Sequence, residues 1–553
     1  MHKTMPHHLL FAPLRFAFAA PFLVSGHPWT LQKYIFREMG KTFLLAAVGL
    51  TGVLGLGGGL LQMMKFGETT PEQVVRLMGL LIPLSASLTL PIAALFSAAA
   101  TYGRLSADNE FVACRSSGIN MNVLFVPTIV LSLVAAGASF GLTNYVIPGM
   151  VRGLNELLRA DLGKLIQQQL NQPQGLALDR YRICADEYGA DPADAERITL
   201  RRVAFVETDE EAWVRYGTAR EINLRFAVDE QSVRVSGWMS NLSYYDARLD
   251  RFVEEASQVI PTNEYKSGVR LKIKFLNLNE LLHYRASPGK WYEVRDEIER
   301  LRKSVGATLL SEAIGEAFRR GGVITLQDER TRYLIEPETV RSDPDTASLE
   351  FSNVRIEETQ GGRVRTIAAD RASIKMGGGR TLDECTLAIE VQDARLASGG
   401  TVIERAKTTL TPVGMPPEIV ERAAAMSEAE LLAGPSEPLN EPLERKRFMA
   451  RAVRGETVRK IVAAIHERAA FSVSIFMLSI LGAALGVILR GSHLMTAFGI
   501  SFVPMLFVLV MIVTGKQMSR NPGTHELGLL VIWSGIIVVV GVDVLIMTRL
   551  LRR

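Results

Sequence analysis

"YGRLSADNEFVACRSSG", residues 102–118, lies between two long apolar runs. Its middle, Arg104 to Arg115, holds two basic and two acidic residues, whereas the runs on either side hold almost no charge. A connection that only reversed the chain would need about half that length. This one also sets Phe111 and Val112 among Asp108, Glu110 and Arg115. It reads as a charged hinge with an apolar element of its own, and what flanks it decides the fold class.

An uncharged run of about 18 residues or more crosses the roughly 30 Å hydrocarbon core as a helix. Six segments qualify: Thr42–Met64, Leu77–Gly103, Met121–Pro148, Ala469–Leu489, Leu494–Gly515 and Leu527–Thr548. Pro83 and Pro91 mark the second as a candidate for kinking. The sixth carries Asp543, six residues before Arg549, near enough to the helix end for its side chain to reach the interface. The 48% apolar content of the 553 residues is thus the mean of two greasy ends and a charged middle of about 300 residues. The fold class that follows is a polytopic α-helical membrane protein. It has six transmembrane helices and a large β-type domain inserted between helices 3 and 4.

The net charge of +4 says less than its placement. Lys3, Arg15, Lys33, Arg37 and Lys41 face Glu38 alone before the first span, and the chain ends Arg549, Arg552, Arg553. By the positive-inside rule both termini are cytoplasmic, as are the 102–118 hinge and the Arg490–His493 loop, and residues 149–468 lie outside. Leu9–Gly26 has the look of a signal peptide with Ala17-Phe18-Ala19 as cleavage site, but Arg15, Pro13 and Pro21 interrupt it. A mispredicted start or a surface-lying helix is the preferred alternative. Lys516 and Arg520, in the outer loop 516–526, run against the charge rule. Of the three cysteines, Cys114 falls on the cytoplasmic side; Cys184 and Cys385 share the outer compartment, where they either pair or stand as free core residues.

Residues 174–283 and 323–412 alternate apolar and polar side chains between turn-rich breaks, the pattern of β-strands. "YRICADEYGADPADAERITLRRVAFVET" aligns with "RYLIEPETVRSDPDTASLEFSNVRIEET" 151 residues later, and each region reaches an Asp-Ala-Arg-Leu, at 246–249 and 393–396. Two related β-units are expected, with Lys290–Arg320 helical between them. One large sheet domain is the competing reading. Residues 417–468 read as helix, broken at "LLAGPSEPLNEP" and leading into the fourth span. The expected domains are an N-terminal extension (1–30), helices 1–3 with a cytoplasmic coupling helix at 104–118 (31–150) and a first β-jellyroll-like unit (151–288). A helical insert (289–322), a second β-unit (323–415), a helical linker (416–468) and helices 4–6 (469–553) complete the chain.

Catalytic patterns are missing. "MGKT" at 39–42 lacks the glycine a phosphate loop needs five residues before Gly40, where Ile35 stands. No HExxH, CxxC or GxSxG occurs, and the eight histidines do not cluster beyond His7-His8. An enzyme would need an acid, base or nucleophile assembled by folding within 149–468. No feature points to nucleic acid or to a resident metal.

The arrangement of three spans, a large outer β-domain and three more spans resembles the LptF/LptG permeases of the lipopolysaccharide exporter. The most specific stretch is "LPIAALFSAAATYGRLSADNEFVACRSSGI", 90–119, with its Leu-Pro, its Gly-Arg-Leu step, an acid before an apolar pair and a closing glycine. "YIFREMGKT" (34–42), "NYVIPG" (144–149) and "HERAAFSVSIFMLSILGAALGVILR" (466–490) are similar to the family's approach to span one, exit from span three and Arg-led span four. The likeness covers the spans and, loosely, the first β-unit, and leaves out residues 1–28. "VIWSGII" lacks the Pro-Asn pair the family usually carries in span six, and the second β-unit is an excess over one jellyroll.

The resemblance implies an inner-membrane permease that takes lipopolysaccharide from the outer leaflet and passes it to a periplasmic β-jellyroll bridge of LptC/LptA-like proteins. It implies a second six-span permease, identical or paralogous, and a cytoplasmic LptB-like ATPase dimer. That dimer would use ATP-Mg; this chain would carry no cofactor. The hinge then becomes a coupling helix that docks into the ATPase through Arg104, Leu105, Asp108, Glu110, Phe111, Val112 and Arg115. Ser106 would cap it, Asp108 and Glu110 would suit its positive end, Phe111 with Val112 would form an apolar knob, and Glu110 would meet a basic partner residue. Lys65, Lys516 and Arg520 would face lipid phosphates at the outer edge, or else snorkel to the interface. The glycine-rich "GVLGLGGGLLQMM", 52–64, would line an apolar cavity wall. "YIFREMGKT" leans towards LptF. A membrane-anchored periplasmic scaffold, or a mechanotransmission exporter for another envelope lipid or protein, remains the alternative.

Overall fold

A computed structural model of the chain describes residues 29–552, apart from 67–70, 161–175, 179, 192–193, 210–211, 229–231, 248–249, 267–271, 328–330, 344–347, 361–362, 378, 399–400, 411–412, 434–440 and 489–493. Residues 1–28 of the N-terminal extension and the Arg490–His493 loop lie outside these residues; Trp29 and Thr30 already belong to the first helix.

The apolar runs form long helices. α1 (Trp29–Phe66) and α2 (Pro71–Ala107) lead to the short α3 (Glu110–Ser116), which occupies the hinge. The third apolar run is α4 (Met121–Leu124) and α5 (Val126–Gly141), then a π-turn at Leu142–Val146, then α6 (Ile147–Ala160). Among the described residues five stretches are long and apolar enough to cross a membrane: Trp29–Gly58, Leu81–Ala107, Asn122–Gly153, Pro442–Ile488 and Pro522–Arg549, with Phe502–Met518 a shorter apolar helix.

Two antiparallel sheets follow α6, and each joins its strands in simple sequence order. The first comprises β1 (Leu176–Leu178), β2 (Tyr181–Asp191), β3 (Asp194–Asp209), β4 (Ala212–Val228), β5 (Ser232–Asp246) and β6 (Arg251–Lys266). The second comprises β7 (Ile324–Gln327), β8 (Thr331–Asp343), β9 (Ser348–Gln360), β10 (Arg363–Gly377), β11 (Thr386–Ser398) and β12 (Thr401–Thr409), with β13 (Val413–Gly414) paired to β11. The long antiparallel strands are those a jellyroll would need; their connections are a meander.

Each sheet is bent along one line. Strand pairing skips the pairs Asp186/Arg202, Arg202/Arg220, Arg220/Asn241 and Asn241/Ala256 in the first sheet. It skips Glu338/Asn353, Asn353/Asp370, Asp370/Asp393 and Asp393/Ala406 in the second. Every second strand passes that line through a left-handed residue: Arg202 and Asn241, then Asn353 and Asp393. The interruption leaves the register the same on both sides, with no inserted residue. It also moves the inward-facing side chains by one residue, so the buried pairs at the bend are Leu200 and Val203, Met239 and Leu242, Phe351 and Val354, Val391 and Ala394. Arg202 and Asn353 stand 151 residues apart, as the aligned stretches do. The two Asp-Ala-Arg-Leu motifs do not correspond: Asp246 ends β5, whereas Asp393 is the left-handed residue inside β11.

The sheets differ in what covers them. Among the described residues the core of the first, from Tyr181 to Ile260, consists of strand residues alone. The second receives Leu310 and Ile314 from α8 (Tyr292–Gly321) and Ile419 and Ala423 from α9 (Pro417–Ala425). The β reading of 174–283 runs too far. Asn277 and Glu280 form a reciprocal capping box that starts α7 (Leu278–Ala286) within it.

After α10 (Glu428–Leu432), one helix of 47 residues, α11 (Pro442–Ile488), runs without a break into the fourth apolar run. It is about 70 Å long at 1.5 Å per residue. Its first half packs with α7, α8 and α10 through Leu281, Trp291, Val294, Leu431, Ala450 and Ile461. Its second half lies against α2 so closely that a Cβ on Gly482 would meet the Leu95 carbonyl at 2.6 Å, and one on Gly486 the Ala99 carbonyl at 2.6 Å. α12 (Leu494–Met518) and α13 (His525–Arg552) complete the bundle. Replacing Gly486 by Val should force α2 and α11 apart and lower the stability of the solubilised protein by about 1–3 kcal/mol. Thermal unfolding in detergent reads this, with Gly49→Val, which meets no atom within 4 Å, as the unaffected control.

Candidate functional site

The hinge is built from its buried side inward. α2 ends with Asp108 N donating to the Arg104 carbonyl at 2.9 Å, and left-handed Asn109 separates it from α3. Gly118, also left-handed, closes α3 while Ile119 N reaches back to the Cys114 carbonyl at 3.1 Å. Tyr102 lies flat on Phe125, its hydroxyl donating to the Leu124 carbonyl at 2.6 Å and accepting from Thr128 at 2.8 Å. Phe111 packs against both rings and is only 4% exposed. Ser106 Oγ donates to the Val487 carbonyl at 3.1 Å, near the end of α11. One cluster therefore binds the hinge to α2, α5 and α11.

Two expectations change. Ser106 does not cap α3; it closes a carbonyl at the C-terminal end of α11. Phe111 is not an outward knob but the anchor that holds α3 on the bundle. The apolar side chain that faces out is Val112, 44% exposed, in a row with Asp108, Asn109, Ala113, Ser116 and Ser117. Val112, Ala113 and Ser116 are exposed on α3 itself, Asp108 and Asn109 in the turn before it and Ser117 just after it. Glu110 is half-buried at its border. Arg104 is exposed and pairs with Glu38 at 3.3 Å, which also holds Lys41 at 2.8 Å. Leu105 is buried within the cluster. The side chain of Arg115 lies outside the described residues.

The other end of the bundle is locked by Arg468, 8% exposed. Nη1 donates to Asn144 Oδ1 at 2.8 Å, and Nη2 to the carbonyls of Lys274 and Leu276 at 3.1 and 2.6 Å. Asn144 sits in the π-turn of the third apolar run, and 273–276 is the segment that leads from the first sheet to α7. A single guanidinium thus joins three segments through uncharged acceptors. Phe275 packs beside it on Ile147 and Val151, and Arg152 pairs with Glu280 at 2.6 Å.

Cations gather at this junction. Lys516 pairs with Glu467 at 2.6 Å, and Lys274 lies over the Phe275 ring at 4.7 Å. Partial loss of water, then the charges of Lys272 and Lys516, hold the Lys274 ammonium below its ordinary range, with Glu467 opposing. Arg520 is exposed, and its carbonyl accepts from Arg459 Nε at 2.8 Å. Lys65 falls at the end of α1, with its side chain outside the described residues. Asp543 does not reach out of the bundle: it is 6% exposed, with no hydrogen-bond partner on either oxygen among the described residues. Cys114, Cys184 and Cys385 are all free thiols.

Comparison with protein families matches residues 33–222 and 264–549 to the family described as "Lipopolysaccharide export system permease LptF/LptG". The chain belongs to the LptF/LptG family. No curated protein matches it. The LptF/LptG match takes in α8 and the second sheet and skips 223–263, from β4 to β6, so the family likeness extends beyond the first β-unit. With its apolar helices, this LptF/LptG chain is a multi-pass inner-membrane transport permease and not an enzyme.

Arg468, Asn144 and Lys274 were missed as a set because they lie in three distant segments and their partners are mostly backbone carbonyls. Arg468→Ala should strand these acceptors and cost about 3 kcal/mol or more, and Arg468→Lys should recover part of it. Chemical unfolding of the solubilised chain measures both.

Proposed function

We propose that this chain is one permease half of an ATP-driven lipopolysaccharide exporter, with the hinge as its coupling element. In this reading α12 is the fifth of six spans, both termini and the hinge face the cytoplasm, and both sheets face the periplasm. What supports it most is the continuous α11. Its C-terminal end is held by Ser106 of the hinge, and its N-terminal half carries α8, which seats in the second sheet.

The face Asp108–Val112–Ser116 would dock on a separate LptB-like ATPase dimer that binds ATP-Mg, with Glu110 meeting a basic residue at the border. Phe111 transmits force rather than making the contact, because its ring is packed against Tyr102 and Phe125. A second six-span permease would complete the pore. α1 fits the wall of such a pore: Leu44, Leu45, Val48 and Val53 are exposed, and Gly52, Gly57 and Gly58 meet no atom within 4 Å. Closure would lift the lipid towards the first sheet, whose core among the described residues is made by strands alone. LptC/LptA-like bridge proteins would receive it there.

At the outer edge Lys65, Lys516 and Arg520, joined by Lys272 and Lys274, would hold the lipid phosphates. Lys516 must exchange Glu467 for the phosphate, which makes this a site of release as well as capture.

Glu110→Arg combined with Val112→Asp should weaken ATPase co-purification by about tenfold or more while leaving the fold intact. Phe111→Ala should instead lower thermal stability. Retention of full ATPase binding by the first variant would remove the hinge from this role. Neutralising Lys65, Lys516 and Arg520 together should reduce lipopolysaccharide-stimulated ATP hydrolysis several-fold, without loss of the assembled complex; unchanged stimulation would leave these cations as interfacial anchors only.

A further inference from the structure

α8, the second sheet and the start of α11 meet around a cleft of about 340 Å³. Arg300 and Lys303 reach it from α8 and Lys446 from α11, with Glu297 as its one acidic side chain. Glu297 pairs with Arg300 at 3.2 Å. Two ammonium groups are left. Lys303 Nζ donates to the Gly379 carbonyl at 3.2 Å, and Lys446 Nζ to Ser304 Oγ at 2.8 Å. Both acceptors are uncharged, and each ammonium has further donors to give.

Two neighbouring acids are engaged by Arg380. Asp296 holds Arg380 at 3.2 Å, and Glu384 accepts from the Arg380 backbone N–H at 2.7 Å. The buried Cys385 thiol is pushed up by its burial, with Lys303 opposing and the Glu384 and Asp383 carboxylates adding to the rise. Three cations therefore face one carboxylate in a cleft whose other polar groups are neutral. Its size suits a small polar ligand, since ligand pockets start at roughly 300 Å³.

We propose that this cleft binds a phosphate monoester, held between Lys303 and Lys446 with Arg300 at the mouth. A monoester carries close to two negative charges at neutral pH and three acceptor oxygens, which two ammonium groups and a guanidinium can satisfy together. Bound there, it would bridge α8 to α11 and, through Gly379, to the second sheet. The proposal does not depend on the coupling role of the hinge.

The test uses the full chain in detergent, titrated with glucose 1-phosphate by calorimetry. Saturable binding is expected, weakened about tenfold or more in Lys303→Ala/Lys446→Ala and largely kept in the Lys-to-Arg pair. Lys460→Ala, a lysine of α11 paired with Glu456, should bind as the parent does. Phosphatidylcholine vesicles with and without diphosphoryl lipid A then separate the sources. Capture by the lipid A vesicles that glucose 1-phosphate competes away, and that the double alanine variant loses, assigns the cleft to a lipid headgroup. Capture unaffected by either, beside Lys-dependent binding of glucose 1-phosphate, assigns it to a free phosphorylated sugar. Absence of saturable binding, or equal binding by the double alanine variant, overturns the proposal.

Discussion

The constraint on which the rest depends is the burial of Arg468. A guanidinium cannot shed its charge in a protein, so once buried it must find acceptors for its fork of donors. Asn144 can serve because the π-turn at Leu142–Val146 interrupts the regular helix at that point. The carbonyls of Lys274 and Leu276 can serve because 273–276 is a short 3₁₀ turn rather than strand or helix. The 3₁₀ turn leaves backbone carbonyls that a regular element would have used itself, while the Asn144 side chain donates its Nδ2 to the Phe140 carbonyl at 2.9 Å and offers Oδ1 to the guanidinium. Removing one would leave the others unsatisfied, which is why helix bundle and sheet-bearing half are joined at this point.

From that junction α11 carries the connection in both directions. Towards the hinge, Gly482 and Gly486 let it approach α2 to backbone contact, and Ser106 holds its last turn. Away from it, α11 packs along α8, whose far end fills the inner face of the second sheet. The two sheets share the same bent meander but not the same surroundings. Among the described residues the core of the first is made by strands alone, whereas the core of the second takes in α8 and α9.

Much of this was legible in the sequence, and the failures have physical causes. Long uncharged runs fix helices because the membrane leaves backbone groups no other partner. The hinge helix was expected over 104–118 from the family resemblance; the start of that range belongs to α2, and α3 spans only Glu110–Ser116. The inward turn of Phe111 was not legible, since neighbouring apolar residues on a helix point about 100° apart and only the packing of Tyr102 and Phe125 selects one. Ser106 fits a cap by residue type, yet its hydroxyl answers a carbonyl 381 positions away. The sheet bends left a signal that strict alternation overlooks: the spacing of three in Leu200/Val203 and Phe351/Val354. Arg468 left none, because its acceptors carry no side-chain signature apart from Asn144.

The account stands most directly on α11 being one rigid rod. Spin labels at Ala113, on the outer face of the hinge, and at Arg445, exposed near the start of α11, can report this in the assembled complex. Double electron–electron resonance should give one narrow distance of about 60 Å, the same with and without a non-hydrolysable ATP analogue. A broad distribution, or a shift of about one helical turn or more between the two states, would contradict it.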